Sequence, residues 1–384
     1  MKQRLVLSLL LVIALLAEPA SARFHRHTGF DLKRPEIVSF VNEVVERDAL
    51  KRKAVLAILA KAEPQPKIIE AMTRPAEKVT PWWQYHDQFL TPERIDLGVE
   101  FWNEHRETLE HVSSERGVPP EYIIAIIGVE TRYGRSTGKY RVLDALATLA
   151  FDYPPRSDFF RSELEQYLLL INEDKLNPTT TTGSYAGAMG APQFMPSTYR
   201  RYAIDADNDK KRDLWNDWDD IIASVANYLQ DKGWEPGGPV LAETQLAPDP
   251  TFQINPGKLD LNETVDDLNA HGVKIDLDLP GTTPAVLIAA EQKDGPAYRV
   301  GFKNFYVITR YNGSARYAMS VYDLAQSIKQ RVQPSREAQP PGEARPPDGA
   351  LPAPEMHPSA PEAPPSQVTQ PSSRGTQPTH GARP

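Results

Sequence analysis

The segment PPEYIIAIIGVETRYG, residues 119 to 134, constrains the rest of the chain more than any other. Its two prolines suit a first helical turn, where a missing N–H leaves no hydrogen bond unmade. Glu121 falls in that turn, where an anion meets the positive end of the helix dipole. Ile123, Ile124, Ala125, Ile126, Ile127 and Val129 then cover nearly the whole circumference. A helix that is apolar all round is buried, so other elements must wrap it. Gly134 is the expected stop.

One acid interrupts this apolar surface. Glu130 lies on the stripe of Ile123, Ile126 and Ile127, at spacings of seven, four and three. Ion pairs along a helix form at three or four residues. Those places hold Ile126, Ile127, Tyr133 and Gly134, none of them cationic. Desolvation penalises the anion, so Glu130 is expected to have a raised pKa. A carboxylic acid kept protonated near neutral pH can act as a general acid. The competing reading is a buried acid paired with Arg132, Arg135 or a more distant arginine.

The 384 residues suffice for one large or two medium domains. Residues 1–22 have the form of a secretory signal: Lys2 and Arg4, the apolar run LVLSLLLVIALLA, then Ala20-Ser21-Ala22 as a cleavage site. The run is too short for a membrane span, and no other segment approaches one. The expected product is exported, periplasmic and free of a membrane span. There is no cysteine, which excludes disulfides, thiol catalysis and a lipid-bearing Cys. Net charge is −8 without a prominent basic run, so nucleic acid is not an expected partner. The eight histidines are scattered, without the spacing of a zinc site. From Pro334 to Pro384 the chain holds 14 of its 36 prolines and almost no large apolar residue. Such a tail, 334–384, cannot bury enough surface to order itself.

Between these ends the pattern is mostly helical. RPEIVSFVNEVVERD and LKRKAVLAILAKA repeat apolar residues at three and four. LTPERI is a helix entry with Thr91 as N-cap and Pro92 at the first position. LDALATLAFDYP, DFFRSELEQYLLLINE and WDDIIASVANYLQDKGW read as further helices, and a Gly-rich loop opens into a helix at Pro196. After Gly237, PVLAETQL, AVLIAAEQ and the run YRVGFKNFYVITRYN read as strands, rich in Val, Ile, Phe and Tyr. LNETVDDLNAHGV between them is a short helix, and ARYAMSVYDLAQSIKQRV closes the ordered part. The expected class is α+β, predominantly α. A helical region spans 23–236, a small β-containing subdomain 237–310 and a closing helix 311–333.

The second chemical stretch is GSYAGAMGAPQFMPSTY. Gly183, Gly187 and Gly190 let a backbone turn tightly near a ligand, and Ser184 and Gln193 offer donors and acceptors there. The loop fits neither GxGxxG nor a phosphate loop. GVETRYG followed some fifty residues later by GAMGAPQFMPS resembles the lytic murein transglycosylases of the membrane-bound B type, glycoside hydrolase family 103. PWWQYHDQF, LDALATLAFDYP, SVANYL and ITRYNGSARYAM share the resemblance, which covers about residues 30 to 330. It implies a lysozyme-like α fold that cleaves the glycan of peptidoglycan, with Glu130 as the sole catalytic acid and 1,6-anhydromuramoyl products. It places Ser184 and Gln193 on the sugar and its acetamido group. It places Tyr85, Tyr228, Tyr311, Asn312 and Tyr317 along the glycan groove, and Arg156 at the peptide part. Aromatic faces pack on the C–H faces of sugars. Any single tyrosine is better explained as core than as ligand, and Tyr311 with Asn312 stands out by lying together at the expected end of a strand.

DADNDKKRDLWNDWDD is the third stretch. Asp205, Asp207 and Asp209 take positions 1, 3 and 5 of a calcium loop, Lys211 position 7 through its carbonyl, and Asp213 position 9. Position 6 is Lys210 rather than Gly, and position 12 is Asn216, a poorer ligand than Glu. The resemblance implies an EF-hand-like loop over 205–219, completed by Asp219, with a structural calcium ion and no cofactor for the chemistry. A solvated acidic turn is the plain alternative. The family's namesake is a lipoprotein, and the missing Cys sets this chain with the soluble variants. The rival functions are a lysozyme-like hydrolase and a non-catalytic peptidoglycan-binding scaffold. A hydrolase usually needs a second carboxylate, for which Asp152, Asp158 and Glu163 are the candidates. A monomer is expected, acting on glycan strands; partners from cell-wall synthesis or division stay open.

Overall fold

The computed structural model describes residues 29–73, 80–246 and 259–337. The signal segment 1–22 and residues 338–384 of the tail lie outside the described residues. Six helices come first: α1 (Pro35–Asp48), α2 (Arg52–Leu59), α3 (Pro66–Thr73), α4 (Trp82–Asp87), α5 (Pro92–Glu104) and α6 (Arg106–Arg116). The entry to α5 is as its sequence demands, for the Thr91 hydroxyl accepts from the Arg94 N–H and Pro92 opens the helix. The central helix α7 (Pro120–Thr131) follows, then strand β1 (Tyr140–Arg141), α8 (Val142–Asp152), a single 3-10 turn (Pro154–Arg156), α9 (Ser157–Glu173), β2 (Thr182–Gly183), α10 (Pro196–Tyr202) and α11 (Trp218–Asp231).

Ile123, Ile124, Ala125, Ile126 and Ile127 of α7 are fully buried. They sit in one large core with side chains from α1, α5, α6, α8, α9 and α11. The helix stops at Thr131, three residues before Gly134. Arg132, Tyr133 and Gly134 all turn into the left-handed region instead, with φ of 52°, 59° and 78°.

The remaining elements are β3 (Leu241–Leu246), β4 (Glu263–Thr264), α12 (Val265–Ala270), β5 (Val273–Ile275), β6 (Pro284–Ala289), β7 (Tyr298–Gly301), α13 (Lys303–Tyr311) and α14 (Ala315–Glu337). The strands form one antiparallel sheet in the order β4-β6-β7-β3-β5. It has its own small core of Ala242, Val265, Leu268, Val273, Leu287, Val300 and Phe302. Its opposite face packs through Leu241 of β3 and Val286 and Ile288 of β6 into the main core.

Three sequence expectations change here. The run YRVGFKNFYVITRYN is a strand only to Gly301 and then the helix α13. Tyr311 and Asn312 therefore end a helix, not a strand. The closing helix begins at Ala315 rather than 311 and runs on to Glu337, four residues into the segment assigned to the tail.

Candidate active site

Glu130 occupies the last turn of α7 and is partly buried. Several contacts fix that turn. Arg94 donates from Nη1 to the Gly128 carbonyl at 3.2 Å, and the Tyr133 hydroxyl donates to the Arg94 carbonyl at 2.9 Å. Gly128 has to be glycine: a Cβ there would lie 2.6 Å from the Tyr133 hydroxyl. Arg132 turns away and pairs with Glu93 at 2.8 Å. Among the described residues no cation pairs with Glu130.

What reaches the acid is a phenol. The Tyr317 hydroxyl, at the start of α14, donates to Glu130 Oε1 at 2.7 Å. Burial pushes the Glu130 carboxyl up to about 7, and the Tyr317 hydrogen bond only partly opposes this by favouring the anion. The acid thus keeps a substantial protonated fraction up to about neutral pH, for the reason its apolar stripe suggests.

Tyr317 is itself fully buried and lies nearly parallel to Tyr311, ring centroids 6.4 Å apart. Tyr311 leans on Tyr228 at 4.9 Å and Phe194 at 5.8 Å, and its hydroxyl donates to the Pro192 carbonyl at 2.7 Å. The Tyr228 hydroxyl is spent on the Arg310 carbonyl and its ring is buried. Tyr228 therefore backs Tyr311 with its hydroxyl already engaged. Asn312 is 7% exposed, and its Oδ1 is buried without a hydrogen-bond donor. Tyr85, on α4, carries the Arg316 guanidinium over its ring at 5.3 Å and lies close enough to raise the Tyr317 pKa.

The Gly-rich loop leaves β2 and bridges back on itself through Gly183, Met189 and Phe194. The Ser184 oxygen accepts from the Ala186 and Ala188 N–H groups at 3.2 and 3.0 Å, which leaves its own proton to donate. Gln193, at φ 53°, donates from Nε2 to the Thr137 and Gly190 carbonyls at 3.1 and 2.9 Å. Two acceptors on one side fix the amide, so Oε1 is the end left to meet a ligand donor. Arg156 stacks on Phe159 at 4.5 Å, and its charge is felt by Tyr185 beside Ser184. The structure thus gathers Glu130, Tyr317, Tyr311 and Tyr85 on one side, with Ser184, Gln193 and Arg156 on or beside the loop.

None of the three candidate second carboxylates pairs with this group. Asp152 holds Arg34 at 2.7 Å, and the Asp158 side chain is 98% exposed. Glu163 accepts from the Ser197 N–H and hydroxyl at 2.9 and 2.7 Å, where it caps the first turn of α10.

The acidic loop is more selective than its spacing implies. Asp205, Asp207 and Asp209 bring ligand oxygens within 4.8 Å of one another, and Asp205 Oδ1 is buried with no donor. Asp213 is engaged instead with the Trp215 and Asn216 N–H groups at 2.8 and 3.0 Å, and Asp219 with the Thr108 hydroxyl. The residue missed by sequence is Asp220. It accepts from the Ala206 N–H at 2.7 Å and the Asp213 N–H at 2.8 Å and so ties the two ends of the loop. Burial lifts its carboxyl to about 6. The only signal for it was the doubled acid of WDD, which does not say which member points inward. Lys210 takes the turn at φ 72°, the left-handed place where a glycine would sit without strain.

The chain belongs to the transglycosylase SLT family, whose domain model matches residues 33–326. It is 39% identical over 305 residues to the Escherichia coli (strain K12) protein named membrane-bound lytic murein transglycosylase B, covering 77% of this chain and 82% of that one. The soluble lytic transglycosylase SltB1 from Pseudomonas aeruginosa superimposes with a TM-score of 0.73 at 42% identity, covering 79% of this chain and 100% of that structure. The Escherichia coli lytic transglycosylase Slt35, solved in complex with calcium, has a TM-score of 0.72 at 36% identity, covering 80% and 97%.

Proposed function

We propose that this protein is a lytic transglycosylase that cleaves the β-1,4 bond between N-acetylmuramic acid and N-acetylglucosamine in peptidoglycan without consuming water. The observation that carries this reading is a single glutamic acid, Glu130, held protonated to about pH 7 by burial, with no cation among the described residues paired to it. It donates its proton to the glycosidic oxygen, and the N-acetylglucosamine side leaves as an alcohol. Positive charge develops at the muramyl C1. With no partner carboxylate committed to that position, the substrate's own acetamido carbonyl is the nearest group able to stabilise it. Glu130, now ionised, accepts the proton of the muramyl 6-hydroxyl, whose oxygen closes on C1 as the 1,6-anhydro ring. The proton returns to Glu130 and the enzyme is ready for another cycle. Tyr317 steadies the ionised stage by donating to Oε1.

The same reading gives the neighbouring groups their parts. Tyr311 and Tyr85 offer faces to sugar rings, and Ser184 and Gln193 Oε1 offer a donor and an acceptor. Arg156 offers a cation for the acidic stem peptide. Asp205, Asp207 and Asp209 fit a calcium ion, helped by the Lys211 carbonyl; the donorless Asp205 Oδ1 supports this. The ion would neutralise three mutually repelling carboxylates and hold the loop. Residues 1–22 read as an export signal to the periplasm, and no helix among the described residues is long and apolar enough to cross a membrane. Glu130→Gln keeps the shape and removes the titration. Digestion of purified peptidoglycan should slow by at least about a hundredfold; an undiminished variant would remove Glu130 from the mechanism.

A further inference from the structure

Thr131 directly follows the acid and is 1% exposed. Its hydroxyl donates to the Ala191 carbonyl at 2.8 Å, in the loop that carries Ser184 and Gln193. The Ile127 carbonyl, at 3.3 Å, is the weaker alternative acceptor for the same proton. The same oxygen accepts from the Gly134 N–H at 3.0 Å, across the left-handed turn. One buried hydroxyl therefore joins the end of α7, the turn after it and the Gly-rich loop.

A second rung lies beside the first. Gln193 Nε2 donates to the Thr137 carbonyl at 3.1 Å, again from loop to turn. Behind the loop, the Ala191 N–H donates to the Leu214 carbonyl at 2.7 Å, so the loop is braced from both sides. The turn needs such bracing. Arg132 and Tyr133 are non-glycine residues at positive φ, a conformation that persists only when its surroundings over-determine it.

Building on the assignment of Glu130 as the acid, we infer that Thr131 is a positioning residue: its hydroxyl locks the Glu130 turn to the 183–195 loop, so that the proton donor and the sugar-binding groups keep one register. An isosteric side chain without a hydroxyl would leave the buried Ala191 carbonyl and Gly134 N–H unpaired. The two segments would then separate or shift, and a misplacement of about 1 Å can cost about a hundredfold in rate.

The test compares Thr131→Val, which keeps the shape, with Thr131→Ser, which keeps the hydroxyl. Glu130→Gln runs in parallel, on soluble glycan strands at a temperature where circular dichroism shows each variant folded. Thr131→Val should lower kcat by about 10- to 100-fold with KM within about threefold, and Thr131→Ser should return kcat to within about threefold of the parent. Should Thr131→Val not fold, Thr131→Ala against Thr131→Ser gives the same contrast. Equal losses in the Val and Ser variants would overturn the inference, because keeping the hydroxyl would then rescue nothing. So would an unchanged kcat in Thr131→Val, or a loss confined to KM. An active Glu130→Gln would instead overturn the assignment of the acid, whatever Thr131 does.

Discussion

Glu130 stands alone at the end of an apolar helix, whereas Asp205, Asp207 and Asp209 converge on one another in a surface loop. The first site works by isolation. With no cation among the described residues paired to it and its carboxyl withdrawn from water, it holds a proton to about pH 7. The second works by crowding: its carboxylates repel unless a cation sits among them. Identical functional groups thus become a proton donor in one place and a cation site in the other, and the neighbours make the difference.

The widest separation between the two regions should appear in rate. Glu130→Gln should abolish at least about 99% of turnover, whereas Asp207→Asn should leave the rate per folded molecule within about twofold. A comparable collapse in Asp207→Asn would mean that the loop takes part in the chemistry and would break the comparison.

Stability should separate them next. Millimolar calcium should raise the melting temperature by about 5 °C through linkage, and Asp205→Asn should remove most of the gain. Glu130→Gln should respond to calcium as the parent does. A melting curve indifferent to calcium would return the loop to a solvated acidic turn.

The smallest effect sharpens the account of Glu130 alone. Its protonated form starts the reaction, so activity should fall as pH rises through about 7. The Tyr317 hydrogen bond favours the anion, hence its loss should make ionisation harder. Tyr317→Phe should move the alkaline limb of kcat/KM upward by about one pH unit. A downward shift would mean that something other than desolvation governs the acid.

The difference between the two regions also explains what could be read in the sequence. The apolar stripe around Glu130 lies within one helix, so the periodicity carries its burial; whether an arginine would reach the acid was left to packing, which turns Arg132 to Glu93 and brings Tyr317 instead. The loop's outcome depends on contacts from elsewhere. Thr108 of α6 takes Asp219, and the choice between Asp219 and Asp220 is made by how α11 packs. The run after Tyr298 misleads for another reason. Phe305, Val307, Ile308 and Tyr311 have strand-like composition, yet they belong to α13. Tertiary packing decides here, with the Asn304 side chain binding Glu235 and Gly238 at the helix start. The lock at Thr131 was invisible because it joins residues sixty positions apart through a backbone carbonyl, which no side-chain pattern records.

The central claim is that one acid, unassisted by a second carboxylate, closes the muramyl ring on itself. Mass analysis of the products from purified peptidoglycan tests this directly. The account predicts muropeptides ending in 1,6-anhydromuramoyl groups, each about 18 Da lighter than the hydrated form because water is not added. Hydrated reducing ends as the main product would contradict it and would require a water-activating partner for Glu130.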